Sequence, residues 1–176
     1  MKNMEINFNN LEQFEISFSN FCEHSRFELK DFDEIPEIHV NQIKPLSSKA
    51  IKFISEFLSQ SKLHKEIPFQ KGLFRKINKA KIIDGNEREI RKWLYHRRIP
   101  FSQKVILYID QENALIMTWK MFIKYFTIFN LYNDDITIFC ENLEWAILVY
   151  HEGEIYFGTN KEYAVLDSFS EHRFSW

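Results

Sequence analysis

Residues 145–159 read WAILVYHEGEIYFGT, the pattern of two β-strands folded back on one another. Apolar and aromatic residues run up to Tyr150 and resume from Ile155 to Phe157, with Glu152-Gly153 between them. A two-residue hairpin loop needs positive φ, which glycine adopts without a Cβ clash. With Glu152-Gly153 as the loop, Tyr150 faces Ile155, Val149 faces Tyr156 and Leu148 faces Phe157. A period of two then puts Trp145, Ile147, Val149 and Tyr156 on one side, and Ala146, Leu148, Tyr150, Ile155 and Phe157 on the other. Both sides are apolar, so the hairpin is expected inside a sheet covered on both faces.

Working outward, Ile136 to Cys140 reads as a strand joined to the hairpin by a turn at Glu141–Glu144. Val105–Ile109 and Ala114–Met117 read as two further strands around a turn at residues 110–113. Thr118 can cap a helix from Trp119 to Phe129 that is apolar on all but a narrow stripe of Lys120, Lys124 and Thr127. So little polar surface predicts burial, against the chain's own sheet or against a partner. Tyr163 to Leu166 is a candidate edge strand, and the tail from Ser168 is loose unless Phe174 and Trp176 dock.

Towards the N-terminus the pattern weakens. Phe14, Ile16 and Phe18 alternate as in a strand, while Phe14, Phe18 and Phe21 share a helical face; a helix over 10–22 is the preferred reading. Residues 23–46, with Pro36 and Pro45, read as an irregular connector. Ala50, Ile51, Ile54, Phe57 and Leu58 form the inner face of a helix that Ser47 can cap. Residues 63–81 show little periodicity. Asp84 and Glu87 then stand at N-cap and N3 of a helix with Ile90, Trp93 and Leu94 inward, ended by Pro100. The expected architecture is a single α+β domain over residues 1–176. Residues 1–104 are mostly helical or irregular, and residues 105–166 form a mainly antiparallel sheet of about five strands with one helix.

Eighteen Phe, seven Tyr and four Trp in 176 residues supply a sizeable core. Four Gly and four Pro exclude a linker-rich chain. No apolar run approaches the ~20 residues of a membrane span, and MKNMEINFNN lacks the apolar core of a secretory signal. Cys22 and Cys140 are read as free thiols in a reducing cytoplasm. The net charge of −2 conceals three blocks: −6 over residues 1–40, +11 over 41–104 and −7 over 105–176. Either the molecule has separate basic and acidic faces, or the blocks fold together and neutralise one another.

Chemistry is harder to find. The six histidines have no HxH, HExxH or CxxC partner spacing, so no metal ligands are assigned. No GxSxG elbow or phosphate-cradling glycine loop is present, and no catalytic or cofactor-binding residue is assigned. His151 with Glu152 and Glu154 reads as a solvated turn. A basic stretch, Lys71, Arg75, Lys76, Lys79 and Lys81, precedes a helix with Arg88, Arg91, Lys92, Arg97 and Arg98, among which Trp93, Tyr95 and Phe101 are interleaved. Phosphate contacts and stacking by such a surface could hold single-stranded nucleic acid. A pI of about 6.3, and a Trp93 on the apolar helix face, point away from that.

The stretch DDITIFCENLEWAILVYHEGEIYFGTN, residues 134–160, resembles the closing meander of small bacterial immunity proteins, the antidotes of polymorphic and contact-dependent toxins. It covers 27 of 176 residues. The resemblance implies a non-enzymatic cytoplasmic protein that binds one cognate protein toxin, without cofactor or membrane. Such antidotes to nucleases commonly set acid against a basic cleft. The candidate partner-binding residues are therefore the turn carboxylates Asp134, Asp135, Glu141, Glu144, Glu152 and Glu154. Asp134/Asp135 and Glu152/Glu154 belong to one sheet end and Glu141/Glu144 to the other. The alternatives are a nucleic-acid binder using the basic 71–104 segment, or an enzyme without a readable motif.

Overall fold

The computed structural model describes residues 5–18, 20–21, 35–130 and 135–163. Seven strands form one antiparallel sheet in the order β1-β4-β3-β5-β6-β7-β2. They are β1 (Lys44–Pro45), β2 (Lys76–Lys81), β3 (Lys104–Tyr108), β4 (Ala114–Thr118), β5 (Ile136–Phe139), β6 (Trp145–Tyr150) and β7 (Glu154–Thr159). The fold is thus α+β, with two more strands than expected, both from the half read as helical or irregular. Tyr163 lies outside any strand, and residues 164–166, Cys22 and the tail with Phe174 and Trp176 lie outside the described residues.

Strand alternation divides the interior into two cores. On one face Val105, Leu107, Leu115, Met117, Ile138, Trp145 and Ile147 lie under α3 (Glu87–Tyr95), α4 (Trp119–Lys124) and α5 (Phe126–Phe129). On the other, Ile106, Ala114, Ile116, Phe139, Ala146 and Leu148 lie under α2 (Ser48–Ser61) and an N-terminal 3-10 helix, Phe8–Phe14. The short α1 (Glu37–Val40) precedes β1. Strand β6 sits between β5 and β7 and is buried on both faces, as its unbroken apolar run predicts.

The hairpin register differs from the two-residue reading. Tyr150 pairs with Glu154, Val149 with Ile155, Leu148 with Tyr156 and Ile147 with Phe157. The loop is His151-Glu152-Gly153, closed by Gly153 N–H donating to Tyr150 O, with Gly153 at φ +75°. A three-residue loop ending in a left-handed glycine joins strands as readily as a two-residue one. One residue of slip exchanges the faces of the whole second strand. Ile155 and Phe157 therefore join Trp145, Ile147 and Val149, while Tyr156 joins Leu148 and Tyr150.

Four other expectations are revised. The 10–22 segment splits: the 3-10 helix stops at Phe14, and Glu15 bridges Leu46 beside β1. The Asp84 capping box is absent. Asn86 precedes the first helical residue of α3, but its amide is tied backward to Ile83 N and Lys81 O, leaving Asp84-Gly85 as a turn. Ser47 precedes α2 without a side-chain capping bond. The 119–129 helix is capped as expected, Thr118 Oγ1 accepting from Met121 N at 3.3 Å, but breaks at Tyr125 into α4 and α5. Trp119, Phe122, Ile123, Phe126 and Phe129 are buried in the sheet's own core. No helix among the described residues is long and apolar enough to cross a membrane.

Candidate functional site

Both ends of the sheet along β2 and β7 carry mixed charge: carboxylates meet Lys79 and Lys81 at the β6–β7 turn, and cations meet Glu144 and Glu162 at the other end. At the β6–β7 turn, Ile82 N–H donates to Gly153 O at 2.7 Å, which brings the end of β2 against the loop. Asp84 and Glu87 thereby come close to Tyr150 and His151, around a depression of about 280 Å³. Asp135 accepts from both His151 N (3.0 Å) and His151 Nδ1 (2.8 Å). Ile83 stands 55% exposed among these groups. Burial raises the Tyr150 hydroxyl pKa, and the fields of Glu152, Asp135 and Glu154 raise it further. These acids therefore act on one neighbourhood.

The six predicted carboxylates have different surroundings. Asp135 and Glu152 are exposed at the turn end. Glu154 is at the same end but is held by Lys79 and by the Tyr156 hydroxyl, and Lys79 keeps its pKa below the usual value. Glu144 is at the opposite end, paired with Lys161 at 3.0 Å. Glu141 is exposed in the β5–β6 connection, also at that end. Asp134 lies outside the described residues. Asp84 and Glu87, which complete the acidic end, were not assigned in the sequence because they belong to the basic block. Only the approach of β2 to the turn reveals them.

The charge blocks also meet one another. Lys44 pairs with Glu15 (2.9 Å), Lys104 with Glu12 (2.9 Å) and Lys76 with Glu162 (3.5 Å). Neutralisation is partial, because several basic residues stay outside these pairs. Arg88 and Lys92 are exposed on α3, and Arg91 Nη1 reaches Lys124 O at 3.5 Å. Arg97 and Arg98 follow α3 at the other end of β2 and β7. There they line a cleft of about 320 Å³ with Lys76, His96 and Lys161. The predicted basic surface is thus two surfaces. Lys161 went unassigned to the second, and Lys76 was read only as part of the preceding basic stretch, because the pairing of β2 with β7 was not read.

Within this cleft the Arg97 guanidinium lies 4.4 Å from the Trp93 ring centre and 5.6 Å from that of Phe157. Its Nε donates to Trp93 O at 3.1 Å, favourable beside a helix C-terminus. Burial lowers its pKa, and it has no carboxylate partner among the described residues. Arg98 has φ +60°, a conformation that costs a non-glycine residue roughly 1–2 kcal/mol.

A third polar cluster lies under β5. His64 is exposed as a residue, but its ring stacks on Phe69 and both nitrogens are engaged. Pro68 O can only accept, so Nδ1 carries the proton (2.9 Å); Nε2 then accepts from the buried Thr137 hydroxyl (2.8 Å). Desolvation lowers the pKa below 6.5. As pH falls through about 6.5, the unfolded chain binds a proton that the folded chain refuses, so stability falls. The loss levels off below the folded pKa. His64→Gln should flatten the decline in urea midpoint between about pH 7 and 5. Subtracting the parent curve isolates this imidazole from His39, whose pKa burial also lowers. Parallel curves would show that His64 titrates alike in the folded and unfolded chain, so that the fold does not exclude its proton.

The single described thiol, Cys140, is buried, and burial raises its pKa, so it is a poor nucleophile. Among the described residues no three His, Cys, Asp or Glu side chains gather as metal ligands. No family model matches this chain, and no curated protein or solved structure is significantly similar to it.

Proposed function

We propose that this chain is a non-enzymatic binding protein that neutralises a cognate bacterial toxin in the cytoplasm by direct contact. The acidic end of the sheet would face a basic surface of the toxin. The observation that carries this reading is that Asp84 and Glu87 share one depression with exposed Ile83 and with His151, which Asp135 binds and Glu152 follows, although the sequence scatters these acids over 69 positions. An apolar anchor within a charged surround combines contact energy with long-range steering. The likeness of residues 134–160 to immunity proteins supports the same class. Glu154 has a smaller part, because Lys79 already compensates it.

The test pairs the product of any toxin gene found beside this one with a variant carrying Asp84→Asn, Asp135→Asn and Glu152→Gln. These residues lie at the surface, so the variant should fold with near-parental stability. Its association rate should fall about tenfold at low salt and lose most of its salt dependence, since steering is screened within ~8 Å at physiological ionic strength. An unchanged rate, with loss instead in an Arg97→Gln/Arg98→Gln variant, would move the contact to the opposite end. Absence of any complex would overturn the proposal.

A further inference from the structure

We propose that the cleft at the basic end binds the phosphate group of a small phosphorylated ligand, a nucleoside monophosphate being the class that fits its size. This does not rest on the toxin reading, which uses the other end of the sheet.

Cations reach the cleft from three separate elements: Lys76 on β2, Arg97 and Arg98 after α3, and Lys161 after β7. Lys76 and Thr159 are directly paired across the β2–β7 ladder, as are Asn78 and Phe157, so the floor is rigid sheet rather than loop. Among the described residues Glu162 is the one carboxylate on the lining, paired with Lys76, while Glu144 pairs with Lys161 from outside it. Arg97 and Arg98 stay outside these ion pairs, so among the described residues the cleft keeps an excess of positive charge.

Arg97 gives the strongest indication. Arg97 is half-buried and has no carboxylate partner among the described residues, and a charge partly withdrawn from water is best completed by an anion. Its bond to Trp93 O explains one donor of five, and the helix end needs no more. The Trp93 and Phe157 rings restrict the guanidinium plane, which prepares it for an oxyanion. The left-handed backbone at Arg98 ends the helical path and directs the chain along the cleft, where glycine would have been unstrained. Donors arriving from several directions suit a tetrahedral dianion better than a planar carboxylate. A volume of about 320 Å³ lies at the lower end of small-molecule pockets, which are roughly 300–1,000 Å³. It admits a phosphate with one or two attached rings rather than a continuous strand.

The experiment is an NMR titration of the full ¹⁵N-labelled chain at fixed ionic strength, separately with inorganic phosphate, adenosine 5′-monophosphate and an oligothymidylate of about ten nucleotides. Phosphate and mononucleotide should shift the Arg97 Nε–Hε and Thr159 amide signals saturably. Equal affinities for the two would show that the phosphoryl group alone is read. Tighter mononucleotide binding would add contacts to sugar or base. Arg98→Gln and Lys76→Gln, both at exposed positions that should not impair folding, should each weaken binding by about tenfold. Arg88→Gln, on the distant face of α3, should change nothing. Failure of both small probes to saturate, or equal weakening by Arg88→Gln, would overturn the proposal. Saturation by the oligonucleotide alone would replace it with a nucleic-acid groove.

Discussion

Replacing Phe122 or Phe126 by alanine is expected to destabilise the protein by roughly 3–5 kcal/mol in each case, through lost burial and the cavity left behind. Both side chains are 1% exposed. Phe122 packs 5.4 Å from Trp119, 5.9 Å from Phe126 and 6.3 Å from Phe129, measured between ring centres, so truncation removes one ring from a continuous aromatic cluster. The segment is poor in strong helix formers, being rich in Phe, Ile and Tyr, and α4 and α5 span only six and four residues. Such short helices exist because they are packed, so loss of packing also removes the reason for the helix. Domain stability is typically about 5–15 kcal/mol, so either substitution consumes a large share of it. Equilibrium urea unfolding measures the effect. A loss below about 1 kcal/mol would mean that these rings do not occupy a packed core.

This helical region was legible because its signal is burial on nearly every side. The central hairpin was legible for a related reason: strand identity needs only an apolar run with a turn residue, and both are explicit in residues 145–159. Its register was not. Glu152-Gly153 fits a two-residue loop, and His151-Glu152-Gly153 fits a three-residue loop equally well, since both use glycine's positive φ. Apolar residues on both faces removed the alternation that would have separated them. The two edge strands escaped for the opposite reason. KINKAK in β2 carries three lysines and little to bury, while β1 is two residues long with a proline, which suits an edge and resembles a connector. A strand defined by its neighbour's hydrogen bonds leaves little trace in its own sequence.

The candidate sites follow from that omission. Lys76, Asp84 and Glu87 acquire their surroundings only when β2 is laid antiparallel against β7, which sends its first residue to the basic cleft and its end to the acidic turn. Charge blocks along the chain left open unlike surfaces or mutual neutralisation, and the ion pairs between blocks show neutralisation in part. The blocks could not show that Asp84 and Glu87, inside the basic block, would join the acidic end.

The largest effect from a single added methyl group is expected at Gly158. Intrinsic preference favours the change, because glycine inside a strand is roughly 0.5–1 kcal/mol worse than alanine. Packing opposes it. A Cβ at Gly158 would lie 2.2 Å from Phe74 Cδ2 and 2.8 Å from Cγ, well inside van der Waals contact. The Phe74 ring is 7% exposed and meets Phe69 edge-on at 5.0 Å. Its backbone is clamped to β7's end, Asn160 donating to Leu73 O and accepting from Arg75 N, both at 2.9 Å. The ring therefore has little freedom to withdraw. Beneath it the sheet offers glycine paired with small Ala146, and the seat is made by the absence of side chain. Gly158→Ala should destabilise by about 1–3 kcal/mol or more, reversing the sign that strand preference gives. Phe74→Leu should relieve the clash, so the double variant should lose less than the two single losses added together. Urea unfolding of the four proteins measures the coupling. A Gly158→Ala protein as stable as the parent would show that Phe74 does not rest on this backbone.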